Sequence, residues 1–369
     1  MKKTNVIYYN STLLKGGTDT YMLELIKNID KSKFQVDVLI KDGDVVDSHM
    51  LALLNELGSN VHLAKGSFFK RMMFLKNFFK NNKKHYDVCH INATSQGTGI
   101  IAYFAKKIGK VPKVVFHSHM GGNDNKKGMV DKIGTKLMFK FSDNLASCSN
   151  LASKFMFGDE FENSSKVQIL NNSVDTKKFA FNKQIRTDIR KELGIESDSF
   201  VILHVGRFAP QKNHKSLILI FNEILKTEPS AKLLLIGDGV LFEEVKTFTK
   251  ELNIENNVLF LGLQNDVFNF MNAADCFVMP SIHEGLPIVA VEAQANGLPL
   301  VLSENISKET QLAENVEFIS LESPLNVWAG KILNTKKLKR VSGEDVLKQH
   351  NFDHKSAIKI VEELYTKQG

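Results

Sequence analysis

The sequence predicts an α/β protein built from two doubly wound domains, and three observations carry that prediction. Short runs of β-branched and aliphatic residues alternate with longer amphipathic stretches; the alternation comes in two series; and a polar segment near Phe179–Arg190, with Asn182, Lys183 and Gln184, separates them. At 369 residues the chain exceeds one ordinary domain. The first series holds Val6–Tyr9, Val36–Ile40, Val88–Ile91, Val114–Phe116, Leu145–Ser147 and Val167–Leu170. The second holds Phe200–Val205, Ala231–Ile236, Val258–Leu261, Cys276–Met279 and Pro299–Leu302. A terminal helix is expected over Ser356–Lys367, where Ile358, Val361, Leu364 and Tyr365 recur at helical spacing.

Composition narrows the class. Hydrophobic residues at 43% and charged residues at 24% suit a globular chain and exclude a disordered tail or a membrane channel. No apolar run reaches the roughly 18 residues of a spanning helix. The opening MKKTNVIYYN reads as a first strand, not a signal peptide. Three widely spaced cysteines, Cys89, Cys148 and Cys276, argue against a disulfide framework or a zinc site, so a reducing cytoplasm is the expected location.

The net charge of +7 is unevenly spread. Residues 1–178 hold 27 Lys and Arg against 16 Asp and Glu, a net of +11, whereas residues 179–369 carry −4. Between Glu56 and Asp87 there is no acid, while Lys65, Lys70, Arg71, Lys76, Lys80, Lys83 and Lys84 interleave with Phe68, Phe69, Met72, Met73, Phe74, Leu75, Phe78 and Phe79. Two readings stand: a peripheral contact with an anionic membrane, or a surface helix whose aromatic face packs on the core. No nucleic-acid motif accompanies the stretch.

Ligands of open α/β sheets bind beyond the carboxyl ends of strands, so the loops there are the candidate sites. Four stand out. Ser11–Asp19 carries Gly16 and Gly17, which permit close backbone approach, although the spacing is neither a dinucleotide fingerprint nor a Walker loop. Gly206–Asn213 carries Arg207, a fork for two phosphate oxygens, and Lys212, a point charge; together they can neutralise a diphosphate. Gly237-Asp238-Gly239 ends a strand in a tight turn, and such a string is also common turn chemistry. Pro280–Pro299 is the most informative. Pro287 suits the first turn of a helix and Gly297 the position beyond its end, so the amides of Ile288 and Val289 point at an anion. Glu284 then lies at the loop tip and Glu292 inside the helix, where two carboxylates can hold sugar hydroxyls at either end of a diphosphate.

Gly16-Gly17, His117-Ser118-His119, Asn171–Asp175, Gly206-Arg207 with Lys212-Asn213, Gly237-Asp238-Gly239 and Glu284-Gly285-Leu286-Pro287 through Glu292 occur in order. Together they resemble the retaining glycosyltransferases of family 4, the glycosyl transferases group 1 domain. His117–His119 and Ser303–Glu309 look nearest to its bacterial exopolysaccharide and capsule branch.

The resemblance implies a GT-B type fold, two Rossmann-like domains facing an interdomain cleft. Residues 1–178 with the C-terminal helix 352–369 form the acceptor-side domain, and 179–351 the nucleotide-sugar-binding domain. It also implies roles. Arg207 and Lys212 hold the donor diphosphate; Glu284 hydrogen-bonds the transferred sugar; Glu292 takes the ribose hydroxyls; Gly285, Leu286, Ile288 and Val289 line the donor site with Gly16 and Gly17. His117 reaches the donor sugar, with His119 the runner-up, and Asn172 and Gly237 are secondary. Ser173 departs from the family, which carries glycine there. Asp42-Gly43-Asp44 reads as a polar turn, so no metal or cofactor is expected.

The activity implied is transfer of a sugar, with retention, from a nucleotide diphosphate sugar, taken as a uridine diphosphate sugar. The acceptor is a glycan or lipid-linked saccharide in cell-surface polysaccharide synthesis, met at the inner face of the cell membrane. Two alternatives remain, a non-catalytic glycosyltransferase-like partner subunit and a nucleotide-sugar epimerase on the same fold.

Overall fold

The computed structural model describes residues 2–14, 17–119, 128–161 and 165–367. The chain divides into two compact units, Met1–Ser173 with His354–Gly369, and Val174–Asp353.

The first unit holds strands β1 (Thr4–Asn10), β2 (Phe34–Ile40), β3 (Val61–Leu63), β4 (Val88–Ala93), β5 (Lys113–Ser118), β6 (Asn144–Ser147) and β7 (Val167–Ile169). They form one parallel sheet in the order β3-β2-β1-β4-β5-β6-β7. Alternation along β1 feeds two apolar layers: Ile7 and Tyr9 enter one with Leu75, Phe79 and Phe116, and Val6 and Tyr8 the other with Met22, Leu25 and Leu54. Helix His354–Thr366 closes that second layer through Ile358, Val361, Leu364 and Tyr365. Lys113 Nζ donates to the Leu364 carbonyl (2.8 Å), satisfying one orphan acceptor of the helix's last turn.

The second unit holds β8 (Val201–Val205), β9 (Lys232–Ile236), β10 (Val258–Gly262), β11 (Cys276–Met279), β12 (Leu300–Ser303) and β13 (Val316–Ile319), parallel and ordered β10-β9-β8-β11-β12-β13. Both sheets are therefore doubly wound. Three guanidinium groups anchor the polar segment after the join. Arg186 and Arg190 each bond one oxygen of Asp275 (2.6 and 2.7 Å), and Arg340 donates to the Ala274 carbonyl beside it.

Several boundaries differ from expectation. β3 and β13 were not anticipated: one has three residues, and the other carries Glu317 within an edge strand. Pro299 precedes β12; lacking an N–H, it only accepts, from Phe277 N at 2.9 Å. The terminal helix starts at His354, before Ser356. The chain leaves the first unit at Ser173, ahead of residue 178, and re-enters it at His354, beyond 352. Val174 forms a bridge with Asp353, and its amide donates to the Phe352 carbonyl (2.7 Å), binding both passages into the second unit's edge.

The acid-free stretch packs on the core through one face of a helix and leaves its other apolar side chains exposed. Helix Phe68–Asn81, capped by Ser67, buries Leu75, Phe78 and Phe79, whereas Phe68 and Phe69 are 73% and 71% exposed and Met73 and Phe74 also face outward. Asp42 and Asp44 each accept from Arg71 (2.8 and 2.7 Å), so the Asp42-Gly43-Asp44 turn ties this helix to the end of β2. No described helix is long and apolar enough to cross a membrane.

Candidate active site

In the second unit the strand order reverses between β8 and β11, the point at which ligands of open α/β sheets bind, so the loops leaving the carboxyl ends of these strands are the candidate site. Those loops are Gly206–Asn213 and Pro280–Pro287. They are zipped together: Ile282 N donates to the Gln211 carbonyl (2.8 Å), and Asn213 Nδ2 to the Pro280 carbonyl (3.1 Å). Asn213 takes φ +54°, a left-handed conformation that asparagine tolerates, and this turns the loop into helix His214–Leu225.

Arg207 stands exposed at the loop base, and among the described residues no carboxylate lies within ion-pair distance of it. Its position is set by backbone. Gly206 N donates to Ile236 O and Phe208 N to Asp238 O, both at 2.9 Å, so the Gly237–Gly239 turn lies flat against the arginine loop. Only glycine fits there: at φ +138°, a Cβ on residue 237 would sit 2.1 Å from the Gly206 carbonyl. Together Gly206, Arg207, Gly237, Asp238, Leu263 and Gln264 border an open cavity of about 450 Å³. Below them Phe208 is fully buried and stacks on His214 (4.1 Å), whose imidazole burial pushes down to about 4.

Lys212 Nζ lies 2.8 Å from Glu284 Oε1, joining the two loops by charge. Gln211 Nε2 donates to the same oxygen (3.2 Å) and to the His283 carbonyl (2.8 Å). The Glu284 backbone is held from the other side, bridging Ile306 and accepting from Ser307 N (3.1 Å). Helix Ile288–Ala295 follows, with Pro287 at its N-cap rather than inside its first turn, and Gly297 at φ +73° beyond its end. Leu286 and Ile288 pack against Val291, Leu347 and Phe352, and Val289 against the neighbouring apolar layer, which leaves the first amides of the helix as the groups able to meet a ligand. Glu292 lies farther along this helix. Burial pushes its carboxyl up to about 7, with Lys178 pulling the other way.

In the first unit Gly16 lies outside the described residues, and Gly17 opens helix Gly17–Asn28. The loop before it is shaped by buried Asp19, which accepts from Asn10 Nδ2 (2.6 Å) and Leu14 N (2.8 Å). His117, expected to reach a substrate sugar, is instead fully buried. Its Nδ1 meets His90 Nε2 (3.1 Å), and His90 Nδ1 meets the Tyr365 hydroxyl (2.8 Å), because β4, β5 and the terminal helix share this layer. Burial, with His119 and His90 nearby, holds the His117 imidazole well below its usual range. His119, just past the end of β5, is only partly buried and faces Asn172. Both ring nitrogens of His119 and Nε2 of His117 are enclosed without a hydrogen-bond partner among the described residues, so burial does not separate the two histidines.

The second unit gathers Arg207, Lys212, Gly237, Glu284 and Gly285 at its switch point, with Glu292 on the helix behind. Sequence reasoning missed Gln211. Its position between Pro210 and Lys212 was the one available signal, since its partners lie about 70 residues on.

Comparison with known proteins gives the family and the fold. The family described as "Glycosyl transferases group 1" matches residues 185–322, and "Glycosyl transferase 4-like" matches residues 12–149. EpsF of Bacillus subtilis, described as a glycosyltransferase, is 32% identical over 334 residues, 89% of this chain and 86% of that protein. An Escherichia coli UDP-Gal:α-D-GlcNAc-diphosphoundecaprenol α-1,3-galactosyltransferase is 28% identical over 90% of both chains. The crystal structure of Anabaena HepE with UDP superposes with a TM-score of 0.80 at 18% identity, covering 98% of this chain and 99% of that one, a likeness of fold. The fold is thus the GT-B type, and the chain belongs to the group 1, family 4 glycosyltransferases, enzymes that act on nucleotide sugars.

Proposed function

We propose that this chain is a retaining glycosyltransferase that moves the sugar of a uridine diphosphate sugar to a glycan or lipid-linked saccharide in cell-surface polysaccharide synthesis. The observation that carries the reading is the switch-point constellation: two cations, Arg207 and Lys212, a helix N-terminus at Ile288 and the Glu284 carboxylate on adjoining loops. The Escherichia coli galactosyltransferase supports the substrate classes, since its name gives UDP-Gal as donor and a diphosphoundecaprenol-linked sugar as acceptor.

The hard step is cleavage of the anomeric C–O bond, which puts negative charge on the departing diphosphate and positive charge on the ring. Arg207 and Lys212 stabilise the first, and the amides of Ile288 and Val289 add the helix dipole. Glu284 orients the sugar through its hydroxyls, and Glu292 accepts from the ribose. The acceptor attacks on the face the diphosphate leaves, and a phosphate oxygen takes its proton. The cations and the helix end are the diphosphate's counter-charge, so no metal is required. On the acceptor-side unit the sugar contact falls to His117, with His119 the alternative, whose ring nitrogens, unpaired among the described residues, lie at the end of β5. The lysines of residues 65–84 and the exposed Phe68 and Phe69 bring the enzyme to an anionic membrane surface.

Thermal shifts with uridine, guanosine and adenosine diphosphates test the donor site. The uridine nucleotide should stabilise the chain most, and Arg207→Ala should weaken its binding about a hundredfold, the scale of a forked charge-assisted contact. No shift with any of the three nucleotides, or an unaltered shift in the variant, contradicts the assignment. A partner subunit would show no nucleotide release from the sugar donor, and an epimerase would act without an acceptor.

A further inference from the structure

The shortest charged contact in the constellation is internal to the protein. Lys212 Nζ and Glu284 Oε1 are 2.8 Å apart, with the two side chains 17% and 13% exposed. The same oxygen also faces Gln211 Nε2 (3.2 Å), which sits 2.8 Å from the His283 carbonyl. Two acceptors at one end of this amide require its NH₂ there, so Gln211 is a donor to Glu284. An ammonium this enclosed does not give up its counter-ion without a replacement, because an unpaired, partly desolvated charge is costly. A diphosphate is such a replacement and brings more negative charge than a carboxylate.

We propose that nucleoside diphosphate binding is an anion exchange at Lys212: the diphosphate takes Nζ from Glu284, and Gln211 keeps the released carboxylate in place as a positioning residue. This rests on the reading of the loops as a donor site. Before binding, Glu284 competes with the ligand for its main cation. After binding, Glu284 is an anion held by a neutral amide at a fixed place, free to accept from sugar hydroxyls and to face the positive charge that develops on the ring. The ion pair therefore keeps both groups oriented in the empty site and ties the release of Glu284 to the arrival of a diphosphate.

The test is calorimetric titration of the full chain with the nucleoside diphosphate that stabilises it most. Glu284→Gln, nearly isosteric, should tighten binding about three- to tenfold, the scale of a modest ion pair. Lys212→Gln should weaken it, and the double variant should bind no tighter than Lys212→Gln alone, because the gain passes through Lys212. Unchanged or weaker binding in Glu284→Gln overturns the exchange. So does an equal gain in the Lys212→Gln background, which would mark plain repulsion between Glu284 and the ligand. Wild-type affinity in Lys212→Gln would instead overturn the donor-site reading itself. Gln211→Leu should leave nucleotide affinity within about twofold while lowering kcat for nucleotide release from the sugar donor about tenfold at unchanged KM, the scale of one hydrogen bond. Equal losses in affinity and kcat would make Gln211 a structural tie and overturn its role.

Discussion

Glu292 is the residue whose environment departs furthest from what its type prefers in the donor-site helix. A carboxyl raised from 4.5 to about 7 keeps its proton in the folded chain over a range where the unfolded chain has already lost it. The folded state then binds more protons than the unfolded state, so stability from this group is greatest below about 4.5 and declines as pH rises to about 7. Glu292→Gln should flatten that decline in denaturant titrations and be more stable above neutrality, by on the order of 1 kcal/mol. The same variant should abolish the proton release expected when the ribose selects the ionised form, read as a buffer-dependent binding enthalpy; an unchanged pH slope contradicts the buried-carboxyl account. Arg207, Lys212 and Glu284 could be placed from the sequence because each lies in a loop that leaves a strand, and Glu292 because it lies inside the helix that follows. The burial of His117 could not be read, because it depends on Tyr365, 275 residues from His90, closing that layer.

At the scale of elements, the site depends on backbones that approach more closely than side chains allow. Gly237→Ala must place a Cβ against the Gly206 carbonyl at a φ of +138°, so it should cost at least about 2 kcal/mol and remove nucleotide binding. Gly194→Ala is the control: its φ of +64° carries the backbone penalty, but nothing lies within 4 Å, so about 1 kcal/mol and normal binding are expected. Urea unfolding of both variants checks the difference, and equal costs would show that the Gly237 contact with Gly206 is not what fixes the arginine loop. Most strands could be read from their apolar runs because a parallel sheet is buried on both faces. β3 and β13 escaped because edge strands are short and partly polar. Helix Phe68–Asn81 could be located but not oriented, since one face carries Leu75, Phe78 and Phe79 inward while Phe68, Phe69, Met73 and Phe74 stay exposed.

For the whole molecule, the basic excess of residues 1–178 and the cations Arg207 and Lys212 of the second unit call for separate tests. Net charge draws a chain toward an anionic surface but does not position a diphosphate. Replacing Lys76, Lys80, Lys83 and Lys84 by Gln should release the protein from vesicles containing anionic lipid while leaving nucleotide affinity intact, and unchanged sedimentation with vesicles would contradict the membrane contact. The division into two units was legible in the two strand series. Where the passages between them fall was not, because residues 173–174 and 353–354 are fixed by pairing with each other across most of the second unit's sequence. Retentive transfer from a uridine diphosphate sugar is read by nuclear magnetic resonance of the reaction product. Incubated with a panel of uridine diphosphate sugars, a membrane glycolipid extract and EDTA, the enzyme should give a new glycoside with the donor's anomeric configuration, and Glu284→Ala should give none. An inverted anomer, or a product at wild-type rate from Glu284→Ala, would contradict the account.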